Sequence, residues 1–380
     1  MSDYIKNKKN KFKMPVQERE HPPVRNRITD DSRVCVHPFT NLMMYNTPGP
    51  KTFMPHICCL DWLDKDNKVN DGSENVSQTQ ESFNSETIKN IRRGILDGTY
   101  SGCSKTSCPM LATEAETGKP SFQHLRDAVS DPHLRQKIKN GDVDGYYPLK
   151  YQDTTIRDCN LYCRSCRGGI VKDSDDMIGK SKELFNHYSK VVEDLHFLGS
   201  GEFMVVPHLK KFLMSFTKSE YPNIRRFFIL SNGTLLSKKA LDSFTEDFWN
   251  TDKYISISID AATKEVYSKV RLGGNFDTVE KNLKYLMEKA ARYPNNELQL
   301  SFVIQEENFH DMVNLMEMAN SLNIRKVFLT KIQPWEGAGD YGRVSDVSNP
   351  NHKLHEDYNI ILKNAKQLAK EFGIELLGNG

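Results

Sequence analysis

From residue 150 onward, short apolar stretches alternate with longer segments in which apolar residues recur every three or four positions. The short stretches predict six strands, at residues 150–156, 194–199, 225–230, 254–259, 298–304 and 326–331. The longer segments predict helices over residues 179–192, 206–216, 238–249, 277–293 and 308–322. Strands that alternate with helices form right-handed βαβ units and a parallel sheet. We therefore expect an α/β fold with a partial (β/α)6 barrel, and a doubly wound open sheet is the alternative.

The rest of the chain has a less regular pattern and divides by composition. The predicted segments are a flexible basic tail over 1–30, a small irregular domain over 31–128, a connector over 129–149, the barrel over 150–345, and a capping helix and strand over 346–380. Within the irregular domain the pattern predicts strands at 41–45 and 52–57, a turn at 47–50, a surface loop over 64–85 and a helix over 85–96.

Composition and charge narrow the class of protein. Of the 380 residues, 52 are Lys or Arg and 50 are Asp or Glu, which gives a net charge of +2. This balance argues against a nucleic-acid-binding protein that works by bulk charge. No run of apolar residues is long enough for a transmembrane helix, and no apolar segment near Met1 indicates a secretory signal. We expect a cytoplasmic protein without a membrane or nucleic-acid partner, in which clustered, reduced cysteines bind metal.

The cysteines fall into two groups, with five among the first 108 residues and three close together in mid-chain. The mid-chain cysteines, Cys159, Cys163 and Cys166, have the spacing CxxxCxxC and follow the first predicted barrel strand. The carboxyl end of such a strand is where barrel enzymes build their active sites. Three thiolates can hold three irons of a 4Fe–4S cluster, which leaves the fourth iron open to another ligand.

A CxxxCxxC loop after the first strand of a partial barrel resembles the signature of the radical S-adenosylmethionine (SAM) enzymes. The resemblance implies that Cys159, Cys163 and Cys166 are catalytic, bind a 4Fe–4S cluster and leave one iron to bind SAM. It also implies that reduction cleaves SAM to methionine and a 5′-deoxyadenosyl radical, which abstracts hydrogen from a substrate. Zinc held by three cysteines and one further ligand is the alternative for this loop.

Later segments are similar, in the same order, to the SAM-binding segments of this family. The candidate residues are Gly201 and Glu202 within 199–202, Asn232 within 231–234, Ser258 and Asp260 at the end of the fourth strand, and Arg271 within 270–276. By this resemblance Glu202 meets the SAM ammonium group, and Arg271 can bind the SAM carboxylate bidentately. The family often has an aromatic residue before the third cysteine. Here that residue is Ser165, so its contact has to come from elsewhere.

The amino-terminal cysteines resemble the SPASM/twitch modules that accompany many radical SAM enzymes, although here they precede the barrel. The resemblance implies a second, auxiliary 4Fe–4S cluster on Cys35, Cys58, Cys103 and Cys108. Adjacent residues of an extended segment point to opposite faces, so one of Cys58 and Cys59 binds it. The resemblance favours Cys58, and the choice stays open. A zinc-bound four-cysteine site is the alternative, and His37 or His56 could replace one ligand.

The resemblance further implies an enzyme whose auxiliary cluster transfers electrons and whose substrate is a peptide or protein. A small-molecule or nucleotide-derived substrate is the alternative, and a non-catalytic zinc or iron–sulfur protein is a third reading. Reduction of the catalytic cluster requires an electron donor of the flavodoxin or ferredoxin type. The basic tail, Arg92 and Arg93 are the predicted docking surface for this acidic donor.

Overall fold

The computed structural model describes residues 28–46, 53–59, 62–64, 72–197, 201–293, 295–334 and 339–378. Within these residues, nine strands form one sheet in the order β2-β1-β3-β4-β5-β6-β7-β8-β9. The strands are β1 (Asn41–Asn46), β2 (Phe53–His56), β3 (Lys150–Thr154), β4 (Asp194–Phe197), β5 (Arg226–Ser231), β6 (Asp252–Ser258), β7 (Asn296–Ile304), β8 (Lys326–Lys331) and β9 (Glu375–Gly378). Every neighbouring pair is parallel except β1 and β2.

Helices connect the strands. They are α1 (His37–Thr40), α2 (Val76–Phe83), α3 (Glu86–Leu96), α4 (Pro109–Thr117), α5 (Leu125–Ala128), α6 (Pro132–Asn140), α7 (Asp175–Tyr188), α8 (Pro207–Ser215), α9 (Lys238–Asp242), α10 (Glu246–Asn250), α11 (Lys264–Val270), α12 (Phe276–Ala290), α13 (Met312–Ser321), α14 (Tyr341–Val344) and α15 (His355–Glu371). Short 3₁₀ turns lie at Phe203–Val205 and Phe309–Asp311.

The predicted α/β fold with a partial barrel is confirmed. The six predicted barrel strands correspond to β3–β8, and the described sheet is open, with β2 and β9 as its outermost strands. Helices α7, α8 and α10 pack on the same face, because Phe197 of β4 contacts Phe185 and Phe212, and Phe227 of β5 contacts Phe248. This one-sided packing distinguishes a partial barrel from a doubly wound sheet, which has helices on both faces.

The other face of the sheet is concave and lined by partly buried side chains. Because strand side chains alternate, the residues next to those that pack on the helices point to this face. They include His196, Phe228 and Tyr254 on three neighbouring strands, whose rings stack with centroid separations of 5.2 and 4.5 Å. Tyr254 also donates a hydrogen bond to Gln299 of β7. Each of the three residues is the third of its strand, so the concave face has an aromatic row near the amino ends of these strands.

The amino-terminal region extends the same sheet. Strand β1 pairs in parallel with β3, so that Asn41 lies opposite Lys150 and Tyr45 lies opposite Thr154. Strand β2 then pairs antiparallel with β1 at the edge of the sheet. The two strands predicted at 41–45 and 52–57 are therefore present, and they bring the amino-terminal cysteines to the barrel itself.

Two local predictions are wrong, and in both places a side-chain cap begins a helix that the apolar pattern does not show. The surface loop predicted over 64–85 contains helix α2, which begins after Asn75, whose side chain accepts a hydrogen bond from the Gln78 amide. The single helix predicted over 238–249 is two helices, because Thr245 caps a new helix by accepting from the Phe248 amide. The turn predicted at 47–50 lies outside the described residues. No helix in the described part of the chain is long and apolar enough to cross a membrane.

Candidate active site

The three mid-chain cysteines lie on the loop that follows β3, at the carboxyl edge of the sheet. The amides of Cys166 and Arg167 both donate to the carbonyl of Cys163 at 3.0 Å, which folds the end of the motif into a turn. The Tyr162 amide donates to the carbonyl of Leu272 at 3.1 Å, which docks the loop against the segment after α11. The first strand thus delivers the thiols to the edge where the later strands end.

Each thiol of the loop accepts a hydrogen bond from a nitrogen. Cys159 Sγ accepts from the Leu161 amide at 3.4 Å and from Asn232 Nδ2 at 3.8 Å. Arg271 Nη1 lies 3.7 Å from Cys163 Sγ, and Arg167 Nη2 lies 3.5 Å from Cys166 Sγ. Such N–H groups stabilise thiolate sulfur, and hydrogen bonds to sulfur help to set the potential of an iron–sulfur cluster. Three thiols with these donors on one loop fit a cluster with one open iron.

The described residues contain no group of three His, Cys, Asp or Glu side chains close enough to share a single metal ion. A four-iron cluster is larger than one ion, so its thiolate ligands stand further apart. Burial raises the pKa of Cys159 and of Cys163, and this rise is opposed by the charge of Arg167 at Cys159 and by that of Arg271 at Cys163. Metal binding would favour the thiolate forms further.

Gly201 and Glu202 follow β4 and pack against the cysteine loop. A side chain on Gly201 would place its Cβ 2.6 Å from the carbonyl oxygens of Ile156 and Asp158, so only glycine fits there. The Glu202 amide donates to the same Asp158 oxygen at 2.8 Å. The close approach of the two loops therefore fixes where the Glu202 carboxylate lies. Residues 199 and 200 of this predicted segment lie outside the described residues.

The Glu202 carboxylate is buried and accepts hydrogen bonds from the next strand. Oε2 accepts from the Asn232 amide at 2.7 Å, and Oε1 accepts from Ser231 Oγ at 2.9 Å. Burial raises the pKa of Glu202 to about 7, although these hydrogen bonds and the charge of Arg271 lower it. A cationic ligand next to Glu202 would therefore stabilise the ionised form of this carboxyl group.

Asn232 lies at the turn after β5 and connects this turn to the cysteine loop. Its Nδ2 donates to Asn160 Oδ1 at 3.0 Å, while Asn160 Nδ2 donates to Thr234 Oγ1 at 2.8 Å. The turn needs the left-handed conformation of Gly233, whose φ is +74°. Asn282 of α12 holds the turn from the other side by donating to the Gly233 and Thr234 carbonyls at 2.9 and 3.0 Å.

Ser258, Asp260 and Arg271 form a second group beside the loop. Arg271 Nη2 lies 2.8 Å from Asp260 Oδ2 and donates to Ser258 Oγ. Asp260 Oδ1 accepts from the Val303 amide at 2.8 Å. Burial alone would lower the pKa of Arg271, but the charges of Asp260 and Cys163 raise it above its ordinary value. The guanidinium is therefore a fixed positive charge next to the buried thiol.

Four amino-terminal cysteines line one cavity at the opposite, amino edge of the sheet. Cys35, Cys58, Cys103 and Cys108 contribute to its wall, together with His37, Trp62 and Tyr100. The cavity encloses about 340 Å³ of space between protein atoms, part of it open to solvent. Cys59 is not among its lining residues, and His37 Nδ1 lies 3.9 Å from Cys58 Sγ.

The environment of these thiols is apolar. Burial, together with the neighbouring thiols, raises the pKa of Cys35 and that of Cys103 to about 12. Burial also raises the pKa of Cys58. Ionised thiols in such a place need a compensating positive charge, which a metal or an iron–sulfur cluster supplies. Because these thiols stand too far apart to share one metal ion, the donor set fits a larger iron–sulfur group better than a single ion.

The predicted docking role of Arg92 is wrong. Arg92 is fully buried and donates to the carbonyls of Pro38, Phe83 and Val143 at distances of 2.8 to 2.9 Å. Its guanidinium also lies over the ring of Tyr146, at 4.7 Å from the centroid. It is a structural residue that fixes the chain next to the cysteine-lined cavity. The side chain of Arg93 is 49% exposed, and the basic tail up to residue 27 lies outside the described residues.

Three residues of the site were not predicted from the sequence. Arg167 and Asn160 lie within or next to the cysteine motif, and Asn282 lies in the middle of α12. Asn282 is the polar residue on an otherwise apolar face of α12, and this pattern indicates a buried amide that needs hydrogen-bond partners. Arg167 and Asn160 gave no pattern of their own, because charged and polar residues are common in loops.

Residues 154–319 match the family model of the radical SAM superfamily. This match covers the cysteine loop and every residue that the sequence predicts to contact SAM. The chain therefore contains a domain that matches the radical SAM superfamily, whose members are enzymes that use a 4Fe–4S cluster and SAM.

Several solved structures resemble the chain. SuiB of Streptococcus suis, bound to precursor peptide SuiA, is 12% identical over 93% of this chain and 72% of that one, with a TM-score of 0.47. The anSMEcpe structure with bound AdoMet and Kp18Cys peptide is 17% identical over 60% of this chain and 62% of that one, with a TM-score of 0.40. Methylornithine synthase (PylB) is 13% identical over 60% and 71%, with a TM-score of 0.36. No curated protein matches the chain in sequence.

Proposed function

We propose that this protein is a radical SAM enzyme that abstracts hydrogen from a peptide or protein substrate and carries an auxiliary iron–sulfur cluster. The observation that carries the proposal is the convergence of Cys159, Cys163 and Cys166 with Glu202 and Arg271 at the carboxyl edge of the barrel sheet. When bound, the cluster supplies one electron that cleaves SAM to methionine and a 5′-deoxyadenosyl radical.

The chain's own residues bind and orient the SAM molecule in this proposal. The buried Glu202 carboxylate takes the ammonium group, because an ammonium is the partner that stabilises its ionised form. Arg271 holds a positive charge against the Cys163 thiolate and toward the carboxylate of SAM. Asn232 and the turn at Gly233 border the same space and bind the nucleoside part.

The second cluster lies in the cavity lined by Cys35, Cys58, Cys103 and Cys108. This cavity and the cysteine loop lie at opposite edges of the sheet. Asn41 and Lys150 begin their strands at the edge beside the cavity, and the cysteine loop follows Thr154 at the end of its strand. The concave face, with its row of His196, Phe228 and Tyr254, spans the space between them. The substrate binds to this face, between the radical and the auxiliary cluster that accepts or returns an electron.

A peptide is the substrate class that we propose to test first, by the resemblance of the amino-terminal cysteine pattern to SPASM/twitch modules. Two of the similar structures, SuiB and anSMEcpe, have peptides bound. A small-molecule substrate is the alternative. Transfer of deuterium from labelled peptides or small molecules into 5′-deoxyadenosine would identify the hydrogen donor, and transfer from a small molecule alone would overturn the peptide assignment.

Metal analysis and SAM cleavage test the chemistry directly. Anaerobic reconstitution is expected to give about eight irons per chain, because each 4Fe–4S cluster holds four. Addition of dithionite and SAM is expected to yield 5′-deoxyadenosine. Cys163→Ala should abolish this product and keep the second cluster visible, while Cys58→Ala should remove only the second cluster. Cys59→Ala is the matched control and should keep both. Zinc without iron or acid-labile sulfide would refute the proposal in favour of a non-catalytic zinc protein.

The electron donor that we propose is an acidic flavodoxin- or ferredoxin-type protein. Charge attraction between the two proteins accelerates their encounter, and salt screens it. The rate of cluster reduction by such a donor is therefore expected to fall as the ionic strength rises. A rate that is independent of salt would contradict an acidic donor.

A further inference from the structure

Arg167 follows the last cysteine of the motif, and its side chain turns back across the loop. The residue is 9% exposed, although arginine side chains next to surface loops usually extend into water. Nη1 donates to the carbonyl of Arg157 at 2.7 Å, and Nη2 lies 3.5 Å from Cys166 Sγ. One planar guanidinium therefore joins the beginning of the loop to its end, ten residues apart in sequence.

Cys166 is the exposed member of the three cysteines, whereas Cys163 is buried. Its thiol is consequently the one with the least support from surrounding protein. The charge of Arg167 also reaches Cys159, where it opposes the effect of burial on that thiol. Arg167 thus contacts Cys166 and acts on Cys159 through its charge, whereas Arg271 contacts Cys163.

The neighbouring Arg164 provides a contrast within the same loop. Its side chain is 52% exposed and lies 3.5 Å from Glu307. Arg164 and Arg167 have the same charge and lie close in sequence. Of these two arginines, Arg167 is the one that donates to a cysteine sulfur in the hydrogen bonds described above.

We propose that Arg167 is a positioning residue that holds the cysteine loop closed around the catalytic cluster and raises the reduction potential of that cluster. The proposal rests on the function proposed above. A cluster ligated by thiolates carries net negative charge, and adding an electron increases that charge. A fixed cation and an N–H donor at sulfur favour the reduced form, since net charge and hydrogen bonds to sulfur set the potential. The planar fork of arginine can reach two acceptors, which the point charge of lysine cannot do in the same geometry.

The test compares Arg167→Gln, Arg167→Lys and the control Arg164→Gln with the unaltered protein, all reconstituted anaerobically as full-length chains. Iron and sulfide per chain report cluster retention after desalting. A redox titration followed by electron paramagnetic resonance reports the potential. The catalytic cluster is recognised as the signal that changes when SAM is added, which separates it from the amino-terminal cluster. Because the titration follows only molecules that hold the cluster, partial occupancy does not affect the potential.

We expect the ratio of reduced to oxidised cluster to fall about tenfold in Arg167→Gln at the midpoint of the unaltered protein, which corresponds to roughly 59 mV for one electron. Arg167→Lys should keep most of the potential but lose more iron on desalting, because its charge remains and its bridge to Arg157 does not. Arg164→Gln should match the unaltered protein in both measurements. If Arg167→Gln loses its cluster on desalting while Arg164→Gln keeps it, the loss supports the closing role, and the potential of Arg167→Gln is then titrated before desalting.

Equal potentials and equal cluster retention in Arg167→Gln and Arg164→Gln would overturn this proposal while leaving the radical SAM assignment intact. Absence of a SAM-sensitive cluster signal in the unaltered protein would instead refute the proposed function. The two failures are therefore distinguishable in one set of measurements.

Discussion

Substitution of Asp260 by Asn is expected to destabilise the protein far more than loss of one surface charge. The side chains of Asp260 and Arg271 are 1% and 8% exposed, and their nearest atoms are 2.8 Å apart. Asparagine removes the charge while keeping an oxygen that can accept from the Val303 amide. It also tolerates the left-handed backbone of this residue, whose φ is +53°, so the change isolates the charge.

The expected magnitude follows from the burial of the pair. Two unit charges about 4 Å apart attract by about 4 kcal/mol at an effective dielectric constant of about 20. Removing one partner of a buried pair typically costs about 3–5 kcal/mol, because the remaining charge is left without compensation. We therefore expect Asp260→Asn to lower the free energy of unfolding by about 3–5 kcal/mol. Arg271 then loses its anchor and shifts relative to Cys163, so SAM binding should weaken as well.

Urea denaturation of the metal-free protein measures this effect, with Asp277→Asn as the matched control. Asp277 pairs with Lys264 at 2.6 Å, but these side chains are 62% and 69% exposed, so its loss should cost at most about 1 kcal/mol. The double variant Asp260→Asn/Arg271→Met removes both charges and should be more stable than Asp260→Asn alone. A free energy of unfolding in Asp260→Asn that equals that of Asp277→Asn would refute the reasoning.

Three further substitutions test the loops and the buried charges. Gly201→Ala should displace the loop after β4 and abolish SAM cleavage, because its Cβ would overlap two carbonyl oxygens. The control Gly179→Ala places its Cβ where no atom lies within 4 Å and should keep full activity. Equal activity of the two variants would contradict the close approach of the two loops. The folded-state pKa of Glu202 is about 7, above its ordinary 4.5, so the stability of the metal-free protein should decrease as the pH rises from about 4.5 to 7 and then level off. Glu202→Gln should remove this pH-dependent part of the stability, which urea denaturation at each pH measures. Arg92→Met should cost about 3 kcal/mol or more, because three buried carbonyls lose their donor, and should release iron from the amino-terminal site. Exposed Arg93→Met should change stability by at most about 0.5 kcal/mol, and a comparable loss in both variants would refute the structural role of Arg92.

The barrel could be predicted from sequence because its signals are local. The strands from β4 to β8 alternate apolar with polar residues, and the helices between them have apolar faces with period 3.6, whereas β3 is mostly polar. The same principle located the cysteine loop, since CxxxCxxC directly follows β3. Helix α2 was missed because its sequence is polar, and it is stabilised by the Asn75 cap and by packing that no periodic pattern shows.

The contacts within the site could not be predicted in this way. That Arg92 is buried and Arg93 is exposed depends on which side of α3 faces the sheet, and a long charged side chain does not indicate this by itself. Similarly, the bridge from Arg167 to Arg157 and the link between Asn160 and Asn232 require the folded loop. These residues are polar in a polar segment, so only the three-dimensional structure separates them from their solvated neighbours.

The position of β1 between β2 and β3 has a consequence for how this protein can be divided. An amino-terminal segment that was joined to the barrel only by a flexible linker could be deleted, exchanged or expressed alone. Here its removal would leave the hydrogen-bonding groups of β3 that face β1 unpaired, and an open edge strand next to the cysteine loop invites association with other chains. Truncated forms that begin near residue 130 should therefore aggregate, and the two cysteine sites have to be separated by point substitution.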